Sequence, residues 1–317
     1  MKRDSTTRSG IGTTLRREWR LFRKNRGLFM LALPGVLYKL LFNYLPLAGL
    51  ILAFKEYSYA KGIWGSDWVG WRNFRFFFIS DTAYRITRNT ILYNGAFIVL
   101  TTIAAIGLAI LLNELSRRWL GIHQTALFLP HFLSWVVVSY VTLAFLDQNG
   151  GFVNELLRRL GADSVKWYQE PAYWPFILVA VNLWKSVGFS ALIYYAGILG
   201  IDSSYYEAAR IDGASKWQMI RSITVPLLTP LIVILFIMAV GGIFRADFGL
   251  FYFIPNDSSF LFAATDVIDT YVYRSLREVG NIGMSTAVGL YQSAVGFVLV
   301  IAANWTVKKI NADHALW

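Results

Sequence analysis

Long apolar runs constrain the fold of this chain more than any other feature of its sequence. Several of them reach the length of about 20 residues that a helix needs to cross the hydrocarbon core of a bilayer. Hydrophobic residues make up 56% of the 317 residues and charged residues only 15%, whereas about a quarter of the residues in a soluble domain are charged. The pattern predicts an all-α, polytopic membrane protein with six transmembrane helices.

The predicted spans divide the chain into a short N-terminal segment and one transmembrane domain. The basic residues 1–27 form the segment, and the domain covers residues 28–317. The first apolar run is too long for a secretory signal peptide, whose apolar core has about 7–15 residues, so it is expected to stay as a span. The spans are predicted at residues 28–54, 90–113, 123–145, 173–199, 226–248 and 287–307.

Lys and Arg are unevenly distributed between the polar segments. If the N-terminus is cytoplasmic, the cytoplasmic segments hold 16 of these residues, and the longer loops on the other side hold 11. Cytoplasmic loops of membrane proteins carry such an excess of bases, so the net charge of +11 does not call for a nucleic-acid partner. We therefore expect both termini, and the polar segment between spans four and five, in the cytoplasm.

That polar segment has the pattern of two short helices joined at a glycine. Ser204 can cap the start of the first helix, and Glu207 three residues later fits a capping box. Ala208 and Ala209 keep one face small, so another surface can approach closely. Gly213 has no Cβ and can adopt the positive φ that ends a helix. Since the segment contains no nucleophile, metal cluster or phosphate loop, it is expected to be a docking element.

The residues of this segment resemble the EAA signature of ABC importer permeases. In that signature a Gly follows the EAA triplet after three residues, an Ile follows after nine more, and a Pro comes shortly afterwards. The matching residues here are Glu207, Ala208, Ala209, Gly213, Ile223 and Pro226. Asp212 matches the form common in sugar importers. Residues 17–22, 241–252 and 266–273 also resemble the polysaccharide-fragment branch of the maltose-type carbohydrate permeases.

The resemblance implies a six-span permease subunit of an ATP-driven importer in the bacterial cytoplasmic (inner) membrane. It implies that a second permease, two cytoplasmic ATPase subunits and an extracytoplasmic solute-binding protein are the partners, with membrane lipid around the spans. It also implies that ATP and Mg²⁺ bind the ATPases rather than this chain, which agrees with the absence of a G-x-x-x-x-G-K-[ST] phosphate loop. The expected substrate is an oligosaccharide, with acidic polysaccharide fragments as one class.

Within this resemblance, residues 204–216 are expected to seat in a groove on one ATPase and to carry its closing movement into the spans. Glu207 can accept hydrogen bonds from the ATPase, and Gly213 sets the angle between the two short helices. The alternative is an ordinary loop with a capping box. Outside the membrane, residues 147–172 and 250–285 are the expected contact surfaces for the binding protein.

Ionisable residues inside spans are costly, so they are candidates for function. Lys185 lies midway along span four, and Arg245 and Asp247 lie near the outer end of span five. The two bases favour an anionic oligosaccharide, although Lys185 can instead snorkel to the interface and Arg245 can instead pair with Asp247. The aromatic residues that can stack on sugar rings are Trp184, Tyr194, Tyr195 and Tyr252.

Two other function classes are alternatives to an ABC permease. A secondary transporter of a sugar or other small solute usually has inverted repeats and broken helices at the midplane, and no repeat is visible here. An intramembrane enzyme needs a convergent set of catalytic groups. Asp266 and Asp269 lie one helical turn apart without a His partner, and the chain has no Cys, so we predict no catalytic residue and no metal site.

Overall fold

The computed structural model describes residues 23–310 of the chain. Of the predicted basic segment, residues 1–22 therefore lie outside the described part. The described part is built from helices, together with one antiparallel pair of two-residue strands, Lys55–Glu56 and Asp67–Trp68. This composition agrees with the predicted all-α class.

Five helical segments are long and apolar enough to cross a membrane, and one bent pair of helices can supply a sixth span within the described residues. The bent pair is named span 3 and consists of Arg118–Phe132 and Trp135–Leu146. The continuous segments are named span 1 (Arg26–Phe54), span 2 (Asp81–Glu114), span 4 (Pro171–Leu199), span 5 (Lys216–Gly241) and span 6 (Ile282–Lys309). Six spans in the predicted order result when the bent pair is counted as one.

Shorter helices connect the spans at the two ends of the bundle. The end that holds the helix Ser203–Ile211 is named the EAA end, and the opposite one the far end. The far end carries the α-helices Gly62–Gly65, Arg72–Ile79, Phe152–Arg159, Phe248–Phe253, Phe262–Thr265 and Ile268–Arg277, and the 3₁₀ turns Trp167–Gln169, Pro171–Tyr173 and Ser259–Leu261. Most of the structure outside the spans therefore lies at the far end.

Span 3, predicted as one transmembrane helix over residues 123–145, is broken into two helices. Its two halves meet at an angle of 98°. Leu133 and Ser134 have extended backbone conformations, and the Ser134 hydroxyl accepts a hydrogen bond from the Val137 N–H at 3.3 Å. Ser134 thus caps a new helix, which lets the chain turn without leaving its first backbone N–H groups unpaired.

Spans 1 and 5 each contain one π-helical turn, and a proline follows each of these turns. The turns are Leu40–Tyr44 in span 1 and Ile220–Thr224 in span 5. A proline ring clashes with the carbonyl four residues earlier. For Pro46 and Pro226 that carbonyl belongs to a residue of the π turn, so the wider turn relieves the clash. Span 1 then continues as a 3₁₀ helix, Leu45–Phe54, and span 5 as the α-helix Val225–Gly241.

Three boundaries, all in spans 2 and 5, differ most from the prediction. Span 2 begins at Asp81 rather than at residue 90, because the Ser80 hydroxyl caps it by accepting from the Ala83 N–H at 3.2 Å. The segment of residues 202–219, which holds the two short helices, is named the EAA segment. Span 5 begins at Lys216, so the second short helix of the EAA segment is the first turn of this span rather than a separate helix. Span 5 also ends at Gly241, before the predicted residue 248, and the chain forms a turn before the next helix.

Spans 2 and 4 pack along each other at the centre of the bundle. Near the EAA end they share a buried apolar cluster that includes Ala105, Ala109, Leu112, Ala191 and Ile198. Span 4 also packs against the first half of span 3 at Gly188, where a Cβ would lie 1.8 Å from the Leu127 carbonyl oxygen. Only glycine permits this approach, which places the break of span 3 against the middle of span 4.

Candidate functional site

The EAA motif forms an exposed helix, Ser203–Ile211, named the EAA helix. Its cap is Asp202, whose carboxylate accepts from the Ser204 N–H at 2.9 Å, so the predicted cap at Ser204 is wrong by two positions. This hydrogen bond lowers the pKa of the Asp202 carboxyl. Glu207 therefore takes no part in a capping box and is exposed, with the Ser203 hydroxyl 3.2 Å from one carboxylate oxygen.

A capping box does occur one element later, at the start of span 5. The Ser215 hydroxyl accepts from the Gln218 N–H at 3.4 Å, and the Gln218 side chain accepts from the Ser215 N–H at 2.7 Å. This cap was not predicted, because the spacing of Ser204 and Glu207 indicated a box on the preceding helix. As a result, both helices of the EAA segment begin at a satisfied polar cap.

Gly213 ends the EAA helix as predicted. Its φ is +77°, and nothing lies within 4 Å of the position where a Cβ would stand. The Gly213 N–H bonds to the Arg210 carbonyl at 3.1 Å, and the Ala214 N–H bonds to the Ala209 carbonyl at 2.9 Å. These two bonds form a Schellman motif. Glycine is required here by the backbone conformation and not by lack of space.

Two side-chain contacts fasten the EAA segment to the spans. The Tyr206 hydroxyl lies 2.9 Å from the hydroxyl of Thr224, which is buried in the π turn of span 5. Lys216 forms an ion pair with Glu114, the last residue of span 2. A cavity of about 510 Å³ lies between the EAA helix and the ends of these spans, and Glu207 and Arg210 are among its lining residues.

The remaining residues of the motif differ in how far they are exposed to solvent. Ala208, Asp212 and Gly213 are exposed, whereas Ala209 is half-buried. Ile223 is half-buried in the π turn of span 5, and Pro226 is exposed in the helix that follows the turn. The structure thus brings the whole motif together at one end of the bundle, with Glu207 and Ala208 exposed.

Lys185 holds the two halves of span 3 in place. Its side chain is only 8% exposed, and its ammonium donates to the His131 carbonyl at 2.7 Å and to the Pro130 carbonyl at 3.4 Å. These carbonyls lie at the C-terminus of the first half, where a cation is favoured. The ammonium also lies 5.1 Å from the centroid of the Trp135 ring in the second half. This geometry favours a positioning role over contact with a substrate.

Asp247 and Arg245 do not form the ion pair that was one alternative. The Asp247 carboxylate accepts from the Trp135 indole N–H at 2.9 Å and from the Gly249 N–H at 2.9 Å, so it caps the helix Phe248–Phe253. The Arg245 side chain is exposed, and within residues 23–310 it has no ion pair with a carboxylate. Arg245 lines a groove of about 300 Å³ between spans 5 and 6.

The candidate aromatic residues divide into exposed and buried ones. Tyr194 and Tyr195 are 3% and 9% exposed and belong to the apolar cluster between spans 2 and 4. Trp184 is 48% exposed and borders an apolar cavity of about 470 Å³ beside the second half of span 3. Tyr252 is partly exposed at the far end. Only Trp184 and Tyr252 among these four are therefore placed to meet a sugar.

The structure adds three residues that were not among the predicted site residues, all of them around Tyr252. Phe248 stacks on Tyr252 with a centroid distance of 4.9 Å, and Tyr273 lies 5.2 Å from Tyr252. Arg277 contacts the Tyr273 hydroxyl. Each pair on one helix is separated by four residues, Phe248 with Tyr252 and Tyr273 with Arg277. That spacing places the two side chains on one helix face and was the available signal.

The chain matches the family described as the binding-protein-dependent transport system inner membrane component over residues 98–312. The chain belongs to this family. It is therefore a multi-pass permease component of the inner membrane, in a transport system that depends on a solute-binding protein.

Individual relatives match this chain over about nine tenths of their own length. Protein LplB of Bacillus subtilis (strain 168) is 33% identical over 292 residues, which cover 92% of this chain and 91% of the relative. A second relative of the same organism is YteP, a polygalacturonan/rhamnogalacturonan transport system permease protein. It is 33% identical over 290 residues, which cover 90% of this chain and 89% of the relative.

A solved structure is similar in fold as well as in sequence. It is the crystal structure of a bacterial ABC transporter involved in the import of the acidic polysaccharide alginate. One of its chains matches with a TM-score of 0.85 and 31% identity, over 93% of this chain and 99% of that one.

Proposed function

We propose that this chain is the permease subunit that moves acidic oligosaccharides into the cell in an ATP-driven importer. The observation that carries this proposal is the match to a chain of an acidic-polysaccharide importer over 93% of the present chain. The relative named for polygalacturonan and rhamnogalacturonan supports the same chemical class. The exposed Arg245, which has no ion pair in the described part of the chain, supplies a positive charge for a uronate carboxylate.

We further propose that the EAA end faces the cytoplasm and that the far end faces outward. The distribution of Lys and Arg supports this orientation, and both termini are then cytoplasmic. The partners are a second permease and two ATPase subunits, which bind and hydrolyse Mg²⁺–ATP in place of this chain. The far-end loops at residues 147–172 and 250–285 meet the solute-binding protein. Residues 1–27 serve as a basic cytoplasmic segment before the permease domain of residues 28–317.

The geometry of the EAA segment supports a coupling role for it. The exposed Glu207–Ala208 side seats on an ATPase, and Gly213 with its Schellman motif keeps the angle of the EAA helix constant. When the ATPases close, the movement passes to span 5 through the bond from Tyr206 to Thr224, and to span 2 through the ion pair from Lys216 to Glu114. Asp212, Ile223 and Pro226 complete this coupling unit.

The candidate residues of the transport path have two different roles, contact with the substrate and support of the path. Arg245, Trp184 and Tyr252 are exposed and are proposed to contact the oligosaccharide. Lys185, Asp247 and Tyr194 are proposed to hold the helices around the transport path in place. Lys185 and Asp247 both contact Trp135 at the break of span 3, and Tyr194 lies in the packed cluster between spans 2 and 4.

The test is uptake by the complete importer, reconstituted with its binding protein and ATPases in liposomes. Penta-galacturonate is expected to enter in an ATP-dependent manner. Glu207→Lys is expected to abolish uptake and the substrate-stimulated part of ATP hydrolysis, because it puts a positive charge on the seating surface. Glu56→Lys makes the same charge change in an exposed far-end strand, where it breaks only the exposed ion pair with Arg72, and is expected to leave both rates unchanged. Wild-type coupling in Glu207→Lys would contradict the coupling role.

A further inference from the structure

Three aromatic rings form a continuous, partly exposed surface at the far end. Phe248 and Tyr252 come from the helix Phe248–Phe253, and Tyr273 comes from the helix Ile268–Arg277. Their centroid distances are 4.9 Å for Phe248–Tyr252, 4.8 Å for Phe248–Tyr273 and 5.2 Å for Tyr252–Tyr273. We name these three rings the aromatic platform. None of them is fully buried, so the platform offers ring surface to a ligand.

A guanidinium borders the platform. Arg277 is exposed, donates to the Tyr273 hydroxyl and has its Cζ atom 5.7 Å from the centroid of the Tyr273 ring. No ion pair between Arg277 and a carboxylate occurs in the part of the chain that the structure describes. The hydrogen bond to Tyr273 orients the planar guanidinium while most of its five N–H donors stay open to another acceptor.

The backbone under the platform is held by polar contacts that are at least partly buried. Arg274, 12% exposed on its side chain, forms ion pairs with Asp257 at 2.7 Å and with the buried Asp266. Asp247 caps the helix that carries Phe248 and Tyr252. Both helices of the platform are thus fixed by side chains that are not themselves part of it. A site supported in this way binds without a large ordering cost.

We propose that the aromatic platform and Arg277 form a subsite for one uronate ring of the transported oligosaccharide. The apolar C–H face of a sugar ring packs on an aromatic ring, and a guanidinium pairs with a carboxylate through parallel N–H···O bonds. Together these contacts recognise a ring that carries a carboxylate, whereas a neutral sugar gains only the stacking. This inference rests on the proposed function and names where the acidic group is read.

The test measures binding to the complete importer in nanodiscs of zwitterionic lipid, without the solute-binding protein. Under these conditions neither a carboxylate of the binding protein nor an anionic headgroup occupies Arg277. The probes are penta-galacturonate and the same pentasaccharide with its carboxyl groups reduced to alcohols. Titration gives a Kd for each probe, and saturation-transfer NMR from the aromatic protons reports contact with the rings.

Arg277→Gln is expected to weaken binding of the acidic probe by about tenfold, through loss of a charge-assisted pair, and to leave the neutral probe unchanged. Tyr252→Leu is expected to weaken both probes several-fold and to reduce the saturation transfer. Arg75→Gln and Tyr84→Leu change exposed residues at the same end of the bundle and are expected to alter neither Kd.

The subsite is overturned if Arg277→Gln binds the acidic probe as the wild type does, or if it weakens both probes equally. It is also overturned if Tyr252→Leu retains the full saturation transfer. Uptake by the wild-type importer with its binding protein separates the two proposals. ATP-dependent uptake of penta-galacturonate together with a wild-type Kd in Arg277→Gln would remove only the subsite. Absence of any acidic uptake would remove the proposed function itself.

Discussion

The EAA segment and the aromatic platform lie at opposite ends of the bundle and are built in different ways. The EAA segment is one stretch of chain, and its caps and its turn are hydrogen bonds between residues at most five positions apart. The platform joins two helices, and the network beneath it joins residues as far apart as Trp135 and Asp247. The spacing of residues along the sequence is enough to find a local motif. A site whose residues come from distant parts of the chain can be found only once the fold is known.

The largest effect is expected from the ion pairs of Arg274 with Asp257 and Asp266, which hold the helices under the platform. Breaking them tests whether the platform depends on contacts between distant parts of the chain. Arg274→Gln leaves the carboxylate of Asp266, which is 3% exposed, without its ion-pair partner. Burial raises the pKa of the Asp266 carboxyl, and Arg274 opposes that rise. Breaking a buried pair by removing one partner costs about 3–5 kcal/mol. We expect a marked fall in the unfolding temperature of the purified protein in detergent.

The double variant Arg274→Gln/Asp266→Asn is the control, since it removes the stranded charge as well. It is expected to recover a large part of the lost stability. If Arg274→Gln unfolds at the wild-type temperature, the far end does not depend on this network.

The next largest effect is expected at the turn of the EAA segment. Gly213→Ala forces a residue with a Cβ to adopt a φ of +77°, which costs about 1–2 kcal/mol. Coupled uptake is expected to fall several-fold, because the EAA helix loses its defined end. Gly121→Ala is the matched control, since nothing lies within 4 Å of a Cβ there and no positive φ is required. Equal behaviour of the two variants would show that the turn is not constrained.

A smaller effect is expected from the bond between the EAA helix and span 5. Tyr206→Phe removes the hydroxyl that lies 2.9 Å from the Thr224 hydroxyl, a contact worth about 1 kcal/mol. If this bond carries movement into span 5, the ratio of sugar imported to ATP hydrolysed should fall by a fewfold. Tyr205→Phe alters an exposed neighbour on the same helix and should keep the wild-type ratio. An unchanged ratio in Tyr206→Phe would exclude this route.

The smallest effect is expected from the ion pair between Lys216 and Glu114, because its side chains are 75% and 41% exposed. Such pairs contribute about 0–1 kcal/mol. Lys216→Glu and Glu114→Lys are each expected to slow uptake by less than about fivefold. The double variant reverses the pair and should restore the rate. Additive losses in the double variant would show that the two residues act separately.

The features that could be predicted were those that depend on neighbours along the chain. The order of the spans followed from the length of the apolar runs, and so did their number when the bent pair is counted as one span. The positive φ at Gly213 followed from a glycine at the end of a short helical pattern. The cap was misplaced from Asp202 to Ser204 because several residues in a row can serve as caps, and the spacing to Glu207 favoured the later one.

Sequence alone thus determined the class of the protein and the place of its EAA segment in the chain, after span 4 and at the start of span 5. The tertiary structure decided which polar groups are free to act. From the sequence, Lys185 was a candidate for binding an anionic substrate. In the structure its ammonium donates to the carbonyls of Pro130 and His131, more than fifty positions away. The spacing of Tyr273 and Arg277 placed both on one face of a helix, but only the packing of two helices brought them beside Phe248 and Tyr252. The reason is physical: periodicity and caps arise from contacts within one element, whereas burial and pairing depend on which elements meet.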